Sequence, residues 1–135
     1  MLVADLFTMH GEAYYRALEL ACFVELVETH QRCVVALPGG IVTSSDAWAL
    51  LRSCTTVWLR ATAEDYWRRV FSQGDLRPME GREDAMAELR ALMRRRASLY
   101  GQADVVIETS GVAIDDVVSS ALDALDGLDA ARRIP

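Results

Sequence analysis

Apolar residues recur at helical spacing from Gly11 to about His30. Tyr15, Leu18, Cys22 and Leu26 fall on one stripe, while Glu19, Glu25 and Glu28 stand off it, which predicts an amphipathic helix. The next run, Cys33-Val34-Val35-Ala36-Leu37, is short, continuous and β-branched, and Pro38-Gly39-Gly40 stops it. That is the pattern of a strand buried on both faces of a parallel sheet. Ser44 or Ser45 caps a short helix through Leu51. Thr55-Thr56-Val57-Trp58-Leu59 reads as a second buried strand, and Thr62 as the N-cap of a helix toward Phe71 with Asp65 at the capping-box position. Ser72 to Arg82 holds Gly74, Pro78 and Gly81 among charges, the composition of a mobile loop. Asp84 opens a long helix, with Met86, Leu89 and Met93 on one face, that ends near Tyr100-Gly101. Asp104 to Glu108 is a third strand. Thr109-Ser110-Gly111 then turns into a last helix from about Ile114 to Leu125.

Helices alternating with short apolar strands define an α/β domain with a parallel sheet and right-handed crossovers. Residues 1–126 make up the domain, and residues 127–135 a polar tail expected to fray. Ligands of such sheets bind beyond the carboxyl ends of the strands. Pro38-Gly39-Gly40, the loop around Arg77, and Ser110-Gly111 all fall there.

Composition narrows the function classes. Acidic residues outnumber basic ones, 20 to 14, for a formal charge of −6. That balance argues against nucleic-acid binding through this segment, although a local basic pocket remains compatible with it. No apolar run approaches the roughly 20 residues of a membrane helix, and the N-terminus lacks the pattern of a secretory signal. A cytoplasmic protein without membrane contact is expected. The three cysteines, Cys22, Cys33 and Cys54, show no Cys-x-x-Cys spacing, so buried, reduced thiols are expected and no metal site. Trp48, Trp58 and Trp67 read as core or half-buried packing.

Several segments, in order along nearly the whole chain, resemble the shikimate kinase family. Gly11-Glu12-x-x-Tyr15-Arg16-x-x-Glu19 resembles the motif in which an arginine holds the substrate carboxylate and a glutamate one turn on orients it. Val34 to Val42, with Gly39 and Gly40, is similar to the strand and glycine turn that approach the substrate. Asp75-Leu76-Arg77-Pro78-Met79 resembles the Arg-Pro lid over ATP. Arg96-Ala97-Ser98-Leu99-Tyr100 resembles the segment whose arginine is a second carboxylate ligand, and Ser110-Gly111 falls where the adenine loop lies. The resemblance implies substrate binding by Arg16, Gly39, Gly40 and Arg96, catalysis by Arg77, and nucleotide contacts from Arg77, Ser110 and Gly111. Arginine suits a carboxylate because its planar fork of donors pairs bidentately. Taken without the family, Arg16 and Glu19 also fit an ordinary helix-surface pair, and Arg94-Arg95-Arg96 a solvated helix face.

The chain departs from that pattern. Proline at position 38 replaces the first glycine of the turn, removing an N–H and fixing φ. No G-x-x-x-x-G-K-[ST] loop and no Asp-x-Asp strand occur, and without them nothing cradles phosphates or holds Mg²⁺. The expected architecture is therefore a P-loop kinase-like parallel sheet flanked by helices, lacking the P-loop strand and the second strand. The expected state is an N-terminally truncated, inactive chain that is marginally stable or self-associates through open strand edges. ATP and Mg²⁺ would serve only with the missing segment restored.

Two functions compete for these residues. Gly74 to Met79, Asp84 to Arg90 and Glu108 to Gly111 are similar to the shikimate-kinase-like half of certain bacterial helix-turn-helix transcription regulators. This resemblance implies a sensor domain for an acidic effector such as an aromatic acyl-CoA, the reading favoured by the sequence. The alternative is a shikimate kinase that moves the γ-phosphate of ATP to shikimate.

Overall fold

The computed structural model describes residues 3–30, 32–72 and 84–132. The chain divides into two compact units, Met1–Cys54 and Thr55–Pro135.

The first unit is built on α1, Val3–Thr29, which Gly11 breaks. Gly11 has φ 79° and ψ 173°, a region that only glycine enters without strain. The helix restarts at Glu12, so the predicted helix from Gly11 onward corresponds to the second limb. That limb ends at Thr29, whose hydroxyl donates to the Glu25 carbonyl at 2.6 Å.

Cys33 to Leu37 is not a strand. The described residues give it no ladder partner, and Val34 is wholly exposed. An apolar, β-branched run records a preference for burial, but a strand also needs a neighbour for its backbone groups. Pro38 accepts from the Ile41 N–H at 3.0 Å, closing a turn into the short 3₁₀ segment Ile41–Thr43. The Ser44 hydroxyl then accepts from the Ala47 N–H at 3.2 Å and caps α2, Ser45–Leu51, as the sequence predicts. Phe23, Ile41, Val42, Ala47 and Leu51 are buried. Each of the larger ones contributes on the order of 1.5–3 kcal/mol. Trp48 is half-buried and donates its indole N–H to the Val42 carbonyl at 2.9 Å, tying α2 to the 3₁₀ segment.

The second unit runs β1 (Val57–Arg60), α3 (Ala63–Ser72), α4 (Ala85–Tyr100), β2 (Val105–Glu108) and α5 (Ile114–Arg132). β1 and β2 pair in parallel, with Val57 opposite Val105 and Arg60 opposite Glu108. Residues 73–83, with the predicted loop and Arg77, lie outside the described set. Two other expectations change. β2 buries Val105 and Ile107 but exposes Val106, and no residue of β1 is fully buried, so neither strand is covered on both faces. α5 continues past Asp126 to Arg132 rather than fraying there. Cys22 and Cys33 are exposed and Cys54 half-buried, so the expected burial of the three thiols does not hold.

An isolated pair of strands is marginal, and this pair is fastened at both ends by side chains. At the N-terminal end, Asp104 Oδ2 accepts from both the N–H and the hydroxyl of Thr56, each at 2.8 Å. The Thr56 hydroxyl accepts in return from the Asp104 N–H at 3.0 Å. At the C-terminal end, Arg60 Nε donates to Glu108 Oε2 at 2.9 Å. Trp58 stacks on Tyr100 with ring centroids 5.5 Å apart. Arg90 on α4 pairs with Glu64 on α3. The hydrogen bond from Arg60 holds the Glu108 carboxyl below its ordinary pKa, and the hydrogen bond from Arg90 does the same for Glu64. Among the described residues no helix is long and apolar enough to cross a membrane.

Two outcomes follow from these contacts. A Cβ at position 11 would meet nothing within 4 Å, so Gly11→Ala carries only the conformational cost of its backbone, about 1–3 kcal/mol. Chemical denaturation of the variant should show a loss of that size, and wild-type stability would contradict the break. Glu108 and Glu64 titrate lower folded than unfolded, so their stabilisation is in place above the unfolded value and disappears as pH falls through the folded one. Melts followed by circular dichroism should therefore lose stability below about pH 4. Arg60→Met should flatten that limb; an unchanged limb would assign the acid loss to other groups.

Candidate functional site

The second limb of α1 brings Glu12, Arg16 and Glu19 onto one face, at spacings of four and three residues. Arg16 Nη1 lies 3.0 Å from Glu19 Oε2, and Nη2 lies 3.4 Å from Glu12 Oε1. The two carboxylates are not equivalent. The Glu19 side chain is only 8% exposed and that of Glu12 is 70% exposed. Glu19 is thus a fixed partner, while Glu12 is a solvent-facing one that another anion can replace. Burial works against the charge on Arg16, but the hydrogen bonds it donates to Glu19 and Glu12, with the attraction of those carboxylates, outweigh it and raise its pKa. Burial, with Glu19 alongside, likewise raises the Tyr15 phenol, so that ring stays neutral beside the guanidinium, 5.5 Å from Arg16 Cζ.

Opposite this face lies the turn after Pro38. Gly40 is buried, with the Arg16 guanidinium against it. Glu12, Ala13, Arg16, Glu19, Leu20, Gly40, Ile41, Thr43 and Ser44 line a cleft of about 530 Å³, within the range that takes small ligands. Arg16 is the only basic residue in this lining. An apolar floor of Leu20 and Ile41 and the hydroxyls of Thr43 and Ser44 surround it. The cleft can therefore take a small carboxylate with hydroxyl groups, bound by Arg16 once Glu12 gives way. Thr43 and Ser44 escape a sequence reading of the site because their only local signal is that of turn and cap.

The structure brings Arg16 and Gly40 together. Gly39 is exposed beside them. In the second unit Arg96 is half-buried on α4, and Ser110 and Gly111 stand at the exit of β2. The Ser110 hydroxyl accepts from the Thr62 N–H at 2.8 Å, and its hydrogen bond to Asp65 holds that carboxyl low. Gly111, at φ 70°, makes the turn that leads toward α5. Arg69 reaches the same strand end, donating to the Thr109 hydroxyl at 3.0 Å and to its carbonyl at 2.9 Å. Periodicity shows nothing of this clamp, because its partners are distant in sequence.

Among the described residues there is neither a lysine cradle for the phosphates of ATP nor a metal-holding cluster for Mg²⁺. All 14 basic residues are arginine, so these residues offer no lysine to a phosphate chain. Among the described residues no three His, Cys, Asp or Glu side chains are grouped to hold a metal ion.

The family model described as shikimate kinase matches residues 1–126. A shikimate kinase from Geobacter metallireducens is 35% identical over 126 residues, covering 93% of this chain and 69% of the relative. One from Synechococcus sp. strain RCC307 is 33% identical over 126 residues, with 93% and 64% covered. This chain thus spans about two thirds of their length. The solved shikimate kinase from Acinetobacter baumannii in complex with shikimate superposes with a TM-score of 0.79 at 26% identity, covering 96% of this chain and 70% of that one. These findings overturn the sensor-domain expectation. The matching relatives are shikimate kinases, and the segments taken as regulator-like lie inside the kinase match. The family match, the relatives and the superposition agree that this chain belongs to the shikimate kinase family.

Proposed function

We propose that this chain supplies the acceptor-binding part of a shikimate kinase, with Arg16 as the ligand of the shikimate carboxylate. The observation that carries the proposal is the Arg16 guanidinium, fixed by buried Glu19 on one side and backed by Gly40 in a cleft of suitable size. Glu19 orients the fork, and Glu12 leaves when the ligand carboxylate arrives. Gly39, beside the cleft, leaves the backbone open to the ligand ring, and the family resemblance gives Arg96, in the second unit, a carboxylate-binding role as well. Arg77 acts as a lid residue toward the transferring phosphate, while Ser110 and Gly111 face the nucleotide. The structure of the Acinetobacter baumannii relative with shikimate supports this reading of the ligand.

Phosphoryl transfer from ATP needs a phosphate cradle and metal-holding groups. These residues do not supply them, so transfer is proposed only where they are contributed from outside this segment. The role of the chain's own residues is to bind and orient the acceptor and to exclude water.

Calorimetric titration of the chain with shikimate tests this reading. One site is expected. Arg16→Ala should weaken binding by roughly ten- to a hundredfold, the worth of hydrogen bonds to a charged group. Arg16→Lys should also bind more weakly, because an ammonium lacks the planar fork. Binding by the Arg16→Ala variant equal to that of wild type would end the proposal. Glu12→Gln removes the competing carboxylate and should tighten shikimate several-fold. A methyl ester of shikimate should show no such gain.

A further inference from the structure

Gly40 poses a question that its backbone does not answer. Its φ of −77° and ψ of −18° are ordinary helical values, open to any residue. Its carbonyl accepts from the Thr43 N–H at 3.1 Å and from the Thr43 hydroxyl at 2.8 Å, which any residue could do. Conformation therefore does not require glycine here; space does. A Cβ at position 40 would stand 2.6 Å from both Nη1 and Nη2 of Arg16 and 2.8 Å from Cζ. It would occupy the seat of the guanidinium.

We infer that Gly40 is a positioning residue for Arg16: its bare Cα is the surface against which the guanidinium lies while Glu19 holds one edge. This rests on the carboxylate-binding role proposed for Arg16. Arg16 is the free end of a long side chain, so a methyl group at position 40 would be relieved by a swing of the guanidinium rather than by movement of the backbone. The fold would survive, but the fork would be misaimed. Glycine at this position thus sets, through Arg16, how tightly the cleft takes a carboxylate.

The test is Gly40→Ala, measured in the wild-type background and with Arg16→Ala. Because the backbone is helical, alanine should keep the melting temperature or raise it slightly. Shikimate binding should weaken about tenfold or more, as expected when a charged hydrogen-bonding pair loses its geometry. With Arg16 already removed, Gly40→Ala should cost nothing further. The side-chain Nε–H resonance of Arg16 in ¹⁵N-labelled protein, assigned by its loss in Arg16→Ala, should shift in Gly40→Ala. Wild-type binding with an unmoved resonance overturns the inference, as does a melting temperature lowered by several degrees, which would mark a structural role. Should the wild-type chain take no shikimate, the proposed function fails and the resonance alone decides: moved supports the positioning role, unmoved refutes it.

Discussion

The first unit turns on the ion pair between Arg16 and Glu19. A carboxylate buried this deeply is costly without a partner, so Glu19 constrains Arg16 to one place. That place is against Gly40, after the turn of Pro38. The pair therefore links a helix to a loop that shares no ladder with it, and it shapes the cleft between them. Glu12 completes the arrangement as the outer, exchangeable carboxylate. One guanidinium thus has a fixed partner, a backing surface and a side left for exchange, the geometry that anion capture calls for. The break at Gly11 belongs to the same construction, because it starts the limb that carries all three charged residues.

The second unit answers a different constraint. Two short parallel strands have little hydrogen bonding of their own, and polar side chains compensate at each end. Thr56 and Asp104 exchange hydrogen bonds where the strands begin, and Arg60 with Glu108 closes them where they end. Arg69 then holds Thr109, and Ser110 is tied to Thr62. The result is a fixed strand exit at Ser110 and Gly111, the place where ligands of parallel sheets collect. Apart from the buried Thr109, these groups lie at or near the surface, so they act through geometry more than through energy.

Much of this was legible in order along the chain. The Ser44 cap, the Thr62 cap with the Asp65 N–H bonded to its hydroxyl at 3.2 Å, the helix from Asp84 to Tyr100 and the strand ending at Glu108 all rest on local chemistry. Membership of the kinase family was legible too, because its motifs are short and local. The assignment to a regulator does not hold, because the segments that suggested it lie inside the match to shikimate kinases. The Cys33 to Leu37 run misled for a physical reason. Hydrophobicity and β-branching state what a segment tolerates, while a strand exists only where another backbone offers its donors and acceptors.

The sequence by itself determined most of the helical segments from Glu12 onward, the caps at Ser44 and Thr62, the turn at Gly111 and the identity of the arginine in the cleft, because each depends on neighbours a few residues away. Tertiary structure alone decided that Glu19 is buried while Glu12 is not, that Arg69 closes on Thr109, and that Gly40 is needed for the room it leaves rather than for its backbone freedom. Those outcomes depend on distances between segments far apart along the chain, and a side chain's worth there is set by what packs against it.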